Sequence, residues 1–284
     1  MAKNKTIQME EYDPNKPSSK LQEKPKTETK KPEKEKPVDE DNDIYDIIEG
    51  LPTLGKLYSE GTVIKARPLK VSEVKMLAGM TEDTANNIVN QILERTIRGI
   101  DIEDIYTADK MYIMFWLRAN TYKESGYEVS FECNECKKTS QYKFELDVLN
   151  VKQLTDDDAK TLKKEFKLPN GDKIKFKLLT VKDENDNEKF LKQNKTALMN
   201  FEDEMVSICR MIDTINGEKK GMIDKYMYLS EQLLPTDYAY LESYLENASV
   251  GLEPTISVKC TKCGGEADVL LPFRPDFFLP KVRV

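Results

Sequence analysis

The chain has 284 residues, of which 33% are charged and 39% hydrophobic, and it carries a net charge of −7 with no histidine. This length allows one large or two small domains, and so polar a composition points to an unfolded portion. The acidic balance argues against a general nucleic-acid binder, and the lack of histidine excludes His-based triads, His proton shuttles and mixed His metal sites. No apolar run approaches the roughly 18 residues of a membrane span. The start, Met1-Ala2-Lys3-Asn4-Lys5, is polar and has no apolar stretch of a secretion signal. A soluble, intracellular protein is expected.

Residues 1–43 hold the polar excess: Lys16-Pro17-Ser18-Ser19-Lys20, Glu23-Lys24-Pro25-Lys26 and Lys30-Lys31-Pro32-Glu33-Lys34-Glu35-Lys36-Pro37. Alternating charge with recurrent proline cannot bury enough surface to offset ordering entropy, so a disordered charged arm is expected. It is a solvated tail, or in a large assembly an arm that orders on a partner.

Order is expected from Ile44, opening an N-terminal helical region over 44–125. Gly50-Leu51-Pro52-Thr53-Leu54-Gly55 reads as a loop leading to a short strand in Val63-Ile64-Lys65-Ala66-Arg67-Pro68-Leu69. Val71 to Ala78 forms a short helix with Ser72 as a possible N-cap. Thr84 to Arg98 is amphipathic, with Ile88, Val89, Ile92, Leu93 and Ile97 on one face. Ala108 to about Asn120 is apolar all round and predicts the buried centre of a bundle, with Trp116 in the core. Met76, Met80, Met111, Met114 and Met199 read as core or near-core residues.

Two matched cysteine pairs carry the chemistry. Cys133-Asn134-Glu135-Cys136 follows the alternating segment from Tyr127, and Cys260-Thr261-Lys262-Cys263 follows that from Thr255. Each pair precedes a second alternating segment, so hairpins are expected over 126–150 and 255–271. Two residues between thiolates let one tight turn aim both sulfurs at a single metal, and two such turns complete a four-cysteine zinc ribbon. Redox CxxC, disulfides and four unrelated core cysteines are the competing readings. A redox pair sits at a helix start, and disulfides need an oxidising compartment. The expected cofactor is one structural zinc per chain held by Cys133, Cys136, Cys260 and Cys263. The thiolates' preference also admits iron. Four sulfurs close the shell, so this metal holds structure. Cys209 lies in an apolar run and reads as a small core hydrophobe.

Between the pairs lie 123 residues, against roughly 15 to 20 in a compact ribbon. A hairpin plus helical insertion over 151–254 is therefore expected to split the ribbon. Phe166 to Phe176 contains Asn170-Gly171 between alternating runs, a hairpin signal. Helices are expected at about 181–193, 197–212 and 230–247. Asn216-Gly217 makes a tight turn between the last two, Ser230 and Asp237 are candidate caps, and Pro235 divides the final stretch. Closing so long a loop with a metal should remove much unfolded-state entropy. The fold class expected is α+β, a helical subdomain inserted between the two β-hairpins of a split zinc ribbon behind the charged arm.

The terminal Leu270 to Pro280 is extended by Pro272, Pro275 and Pro280, and its Phe273, Phe277 and Phe278 must bury somewhere, on their own domain or on a partner. No Gly-rich phosphate loop is present and no carboxylate pair stands out from the solvated background, so no catalytic residue is nominated and a non-enzyme is expected.

Three segments in order resemble the T-even-like bacteriophage baseplate protein family, linked to the central hub of contractile tails. They are Leu51-Pro52-Thr53-Leu54-Gly55 with Tyr58 and then Arg67-Pro68-Leu69-Lys70-Val71-Ser72-Glu73; Phe115-Trp116-Leu117-Arg118-Ala119-Asn120-Thr121-Tyr122 before the first cysteine pair; and Asp276-Phe277-Phe278-Leu279-Pro280 after the second. The family's usual proline and glycine beside the first knuckle are absent: Asn134 stands in the gap, and Lys137-Lys138 follow Cys136. The resemblance implies a structural or assembly protein of a tail baseplate. Its partners would be other baseplate or hub subunits, and its place the host cytoplasm during assembly and then the virion tail. No membrane partner is expected. A zinc-ribbon transcription or replication factor is the alternative, opposed by the acidic charge and by the shortness of Lys163-Lys164-Glu165-Phe166-Lys167, the densest basic candidate. An enzyme with a structural zinc and carboxylate chemistry is a third, with no constellation to nominate its site.

Overall fold

The computed structural model describes residues 44–122, 127–144, 149–194 and 201–271. The charged arm, Met199 and the tail carrying Phe273, Phe277 and Phe278 lie outside the described residues.

β1 (Asp46–Ile47) and β2 (Lys65–Ala66) flank the loop that contains Leu51 to Gly55. α1 (Val71–Ala78) begins two residues earlier than a Ser72 cap requires. Its cap is Lys70, whose backbone N–H donates to Glu73 at 2.6 Å. A 3-10 turn over Glu82–Thr84 feeds α2 (Ala85–Thr96), which buries Val89, Ile92 and Leu93 on the expected face. That helix stops at Thr96, short of the expected Arg98, because Ile97–Arg98 is a strand, β3, pairing with β2. Ile97 is buried in the strand and also continues the apolar face of the helix pattern, so hydrophobic periodicity does not separate the two. The sheet order is β1-β2-β3, all antiparallel.

Gly99 follows at φ 93°, with the Val63 carbonyl oxygen where a Cβ would sit, only 2.0 Å away. Gly99→Ala combines left-handed strain with a backbone clash. It is expected to cost about 2–3 kcal/mol, read as an earlier urea midpoint with an unchanged slope.

α3 (Thr107–Thr121) buries Ile113, Met114, Phe115 and Leu117. It is not apolar all round: Asp109 and Arg118 are buried in it too, and Trp116 is only half-buried, at the margin of the core. β4 (Tyr127–Glu132) and β5 (Thr139–Phe144) form the first antiparallel hairpin. β6 (Val151–Lys152), α4 (Asp156–Leu162), β7 (Glu165–Lys167) and β8 (Lys173–Phe176) follow, with the β7–β8 turn closed around Gly171 at φ 100°. α5 (Val181–Asn194) is the expected helix.

α6 (Asp203–Met211) is shorter than expected, because Ile212–Ile215 is β9, the third strand beside β8. Asn216 and Gly217, at φ 53° and 81°, close Ile215 onto Glu218 by paired backbone bonds of 2.9 and 3.0 Å. Two consecutive positive φ values match a hairpin turn, so this Asn-Gly belongs to strand geometry and does not join two helices. The expected helix from Ser230 is also revised. α7 (Met222–Met227) runs into one π-helical turn, Tyr228–Gln232, which contains Ser230, and α8 (Pro235–Ala248) restarts with Pro235 in its first turn. Proline costs nothing there because its missing N–H would be unbonded anyway. Asp237 caps no helix: it is buried and accepts the Asn170 backbone N–H at 3.1 Å. β10 (Gly251–Leu252) pairs with β6, and β11 (Thr255–Lys259) with β12 (Glu266–Leu270) forms the second hairpin.

Two cores hold these elements. The first joins Ile92, Leu93, Ile113, Met114 and Leu117 to Val129 and Phe131 of one hairpin and Ile256 and Val258 of the other. The second contains Ile174, Phe176, Val206, Cys209, Ile212 and Leu241. Each fully buried aliphatic side chain is worth about 1.5–3 kcal/mol. Cys209 behaves as such a residue, its thiol pushed up to about 12 by burial. The antiparallel β6–β10 pair brings the chain leaving the first hairpin against the chain entering the second. Glu253 N–H donates to Asn150 O at 2.9 Å beside it.

Candidate metal centre

Cys133 follows β4 and Cys260 follows β11, and each opens the same hydrogen-bonded knuckle. Cys133 N–H donates to Lys138 O at 3.1 Å and Lys137 N–H to Cys133 O at 2.9 Å. Cys260 N–H donates to Gly265 O at 2.8 Å and Gly264 N–H to Cys260 O at 2.9 Å. The left-handed residue that turns each knuckle is Lys137 at φ 55° in the first and Gly264 at φ 78° in the second. Lys137 therefore does what glycine does in the other copy, at a backbone cost of about 1–2 kcal/mol.

The two knuckles face each other, and all four Sγ atoms of Cys133, Cys136, Cys260 and Cys263 lie within 4.8 Å of one another. Across the hairpins Cys133 to Cys263 is 3.6 Å and Cys136 to Cys260 is 3.8 Å. Sulfurs about 2.3 Å from a tetrahedral centre stand about 3.8 Å apart, while a disulfide would hold them at about 2.05 Å. The donor set and its spacing therefore fit a tetrahedral metal ion, and no other such cluster occurs among the described residues.

The surroundings of the sulfurs differ. Cys260 is buried; the Ser140 hydroxyl lies 3.1 Å away and the Lys262 N–H 3.4 Å away, and these donors draw its thiol down to about 6. The Gly265 N–H draws Cys263 down as well, but hydrogen bonding among the neighbouring sulfurs outweighs it and pushes the thiol up to about 12. Four thiols this close ionise together only around a cation. Ser140 escaped the sequence reading, since one serine in an alternating strand carries no mark of the sulfur it meets across the fold.

A second buried polar cluster explains the loop from Leu51 to Gly55. The Thr53 N–H and hydroxyl donate to Asp109 at 2.9 and 2.6 Å. The Tyr58 hydroxyl donates to the same carboxylate at 2.7 Å and accepts the Tyr106 N–H at 3.2 Å. Burial holds Asp109 above the usual carboxylate range despite these donors, and burial beside Asp109 raises Tyr58 well above the usual phenol range. Its donors are spent on the carboxylate, so the cluster is a clamp between loop and helix. Tyr58→Phe leaves Asp109 short of a donor and should cost about 1–2 kcal/mol at pH 7. Because folding raises the Tyr58 pKa, its contribution is complete below the ordinary phenol range and is lost progressively as pH rises from there towards the raised folded value. Thermal melts from about pH 8 to 11 should therefore show a shallower alkaline decline for Tyr58→Phe than for the native chain.

Two ion pairs line a groove of about 550 Å³ bounded by Lys163, Lys175, Lys177, Asp183 and Asp213. Lys177 pairs with Asp183 at 2.6 Å and Lys175 with Asp213 at 3.6 Å. No helix of the described residues is long and apolar enough to cross a membrane.

No curated protein and no solved structure matches the chain. Residues 50–279 match the family described as "T4 bacteriophage base plate protein", a span that takes in the Thr53 clamp, both knuckles and the 123 residues between the cysteine pairs. Matched over most of its length, the chain belongs to this phage baseplate protein family.

Proposed function

We propose that the chain is a structural or assembly subunit of a contractile phage tail baseplate, working through contacts with other baseplate or hub proteins and containing one structural zinc. The family match over residues 50–279 carries this reading. The zinc is supported by the 3.6 and 3.8 Å sulfur separations. A four-sulfur shell leaves no open position for substrate, so the metal does no chemistry and fastens the two hairpins together.

On this reading residues 126–150 are the first hairpin of a split zinc ribbon, 255–284 its second hairpin with the aromatic tail, 44–125 an N-terminal helical region, and 151–254 a hairpin plus helical insertion. The arm over 1–43 and the tail residues Phe273, Phe277 and Phe278 are the segments offered to partners, the phenylalanines as apolar anchors. The protein assembles in the host cytoplasm and acts at the tail baseplate.

The test is a phage unable to make the chain, complemented by a tagged copy. Electron microscopy should show tails without complete baseplates when the chain is missing, and the tagged copy should capture baseplate proteins from infected cells. Normal baseplates in its absence, with none captured, would refute the proposal. Replacing Phe273, Phe277 and Phe278 together by alanine should reduce capture while leaving the melting temperature of the isolated chain unchanged. Loss of melting temperature would assign them to the chain's own core.

A further inference from the structure

We infer that Cys263 is the ligand at which the four-sulfur site opens, and that soft electrophiles displace the metal by reacting there. The inference rests on the metal reading of the four cysteines and concerns how that site can be modified.

The four sulfurs are not equivalent. Cys133 is fully buried, Cys260 is 3% exposed, Cys136 is partly covered and Cys263 is exposed. Cys260 is also held by hydrogen bonds: the Ser140 hydroxyl, itself buried on β5, is 3.1 Å from its sulfur, and Thr261 donates to Ser140 at 3.4 Å. Donors of this kind spread the charge of a thiolate and block approach to it. Cys263 faces the Glu135 carboxylate at 3.9 Å. Gly265 makes that approach possible, since a Cβ there would lie 2.3 Å from Glu135 Oε2. The Gly265 N–H is directed at Cys263, but a carboxylate against a cluster of thiolates stabilises none of their charge, so the exposed sulfur is the one that an electrophile reaches first.

The reaction follows directly. The Cys263 thiolate adds to the carbon–carbon double bond of a maleimide. A carbon–sulfur bond forms as the π bond breaks, the resulting carbanion takes a proton from water, and the metal–sulfur bond is given up. The metal is left on three sulfurs with an open position, where a chelator can bind and remove it.

The experiment uses the full chain loaded with one zinc, treated with less than one equivalent of N-ethylmaleimide beside a chromophoric chelator. Alkylation is mapped by peptide mass spectrometry. Cys263 should be modified at least tenfold faster than Cys133, Cys136 or Cys260, with zinc appearing in the same kinetic phase. Glu135→Gln should slow both severalfold, and buried Cys209 should stay unmodified, reporting that the chain remains folded. Modification of Cys136 first, or zinc release ahead of any alkylation, overturns the inference and leaves the metal site standing. A chain that takes up no zinc overturns the metal reading and this inference with it.

Discussion

Removing the metal from the purified chain, or replacing Cys133 or Cys260 by serine, should abolish stoichiometric zinc and lower the melting temperature by roughly 10 °C or more. A structural zinc supplies about 10–16 kcal/mol to a small finger that has no other core. Here the effect should be smaller, on the order of 5 kcal/mol, because Val129, Phe131, Ile256 and Val258 of the hairpins already share a core with α2 and α3. The loop that the metal closes is also shorter than the 123 intervening residues suggest. Pairing of β6 with β10 already closes most of the segment between the two knuckles, leaving only the short links 137–150 and 253–259 for the metal to fix. The entropic part of the gain falls by roughly 1–2 kcal/mol on that account. The measurement is metal content with thermal unfolding, for native chain, chelated chain and both variants. Unchanged melting after complete metal loss would defeat the prediction, and a chain without metal from the start would remove the zinc altogether.

Glu73→Ala should cost about 3–5 kcal/mol, the largest loss expected from a single substitution away from the sulfurs. Arg67 and Glu73 are both buried and meet through two bonds of 2.7 and 3.0 Å; Arg67 also donates to the carbonyls of Pro68 and Arg95, and Glu73 accepts the Lys70 N–H. The alanine variant leaves a guanidinium in the interior with its countercharge gone. The double variant Arg67→Met with Glu73→Leu should lose less than Glu73→Ala, because it removes both charges. Burial alone would raise the Glu73 carboxyl, but Arg67 and the Lys70 N–H outweigh it and hold it below the usual range. The pair's contribution is therefore complete above the ordinary glutamate range and is lost as pH falls through the depressed folded value. Urea unfolding at about pH 7 and about pH 3 should show the gap between native and Glu73→Ala closing in acid. Equal gaps at both pH values would contradict this account.

The same pair shows why the family-like segments were legible and their roles were not. Arg67 to Glu73 and Leu51 to Gly55 stood out as strings, yet nothing in either string names its partner. Thr53 is explained by Asp109, 56 residues further on, and Leu69 by the Thr121 hydroxyl that its N–H meets. Local signals did better where the cause was local. The α2 face, the turn at Gly171 and both cysteine hairpins follow from spacing and alternation within a few residues. Where one pattern suits two conformations, sequence alone misjudged the outcome. Ile97 and Ile212 continue helical periodicity but are strands, because β2 and β8 offer backbone partners that no local pattern displays.

By itself the sequence determined the four cysteines and their two-residue spacing, the lack of any histidine chemistry, the amphipathic helices and the order of the family-like segments. These depend on neighbours in the chain, where covalent geometry fixes the relation. The tertiary structure decided which sulfurs stand 3.6 and 3.8 Å apart, that Ser140 backs Cys260, that β6 and β10 pair between the two hairpins, and that Cys263 alone of the four is exposed. Those relations join residues far apart in the chain, and packing of two separate cores sets them, which no local periodicity encodes.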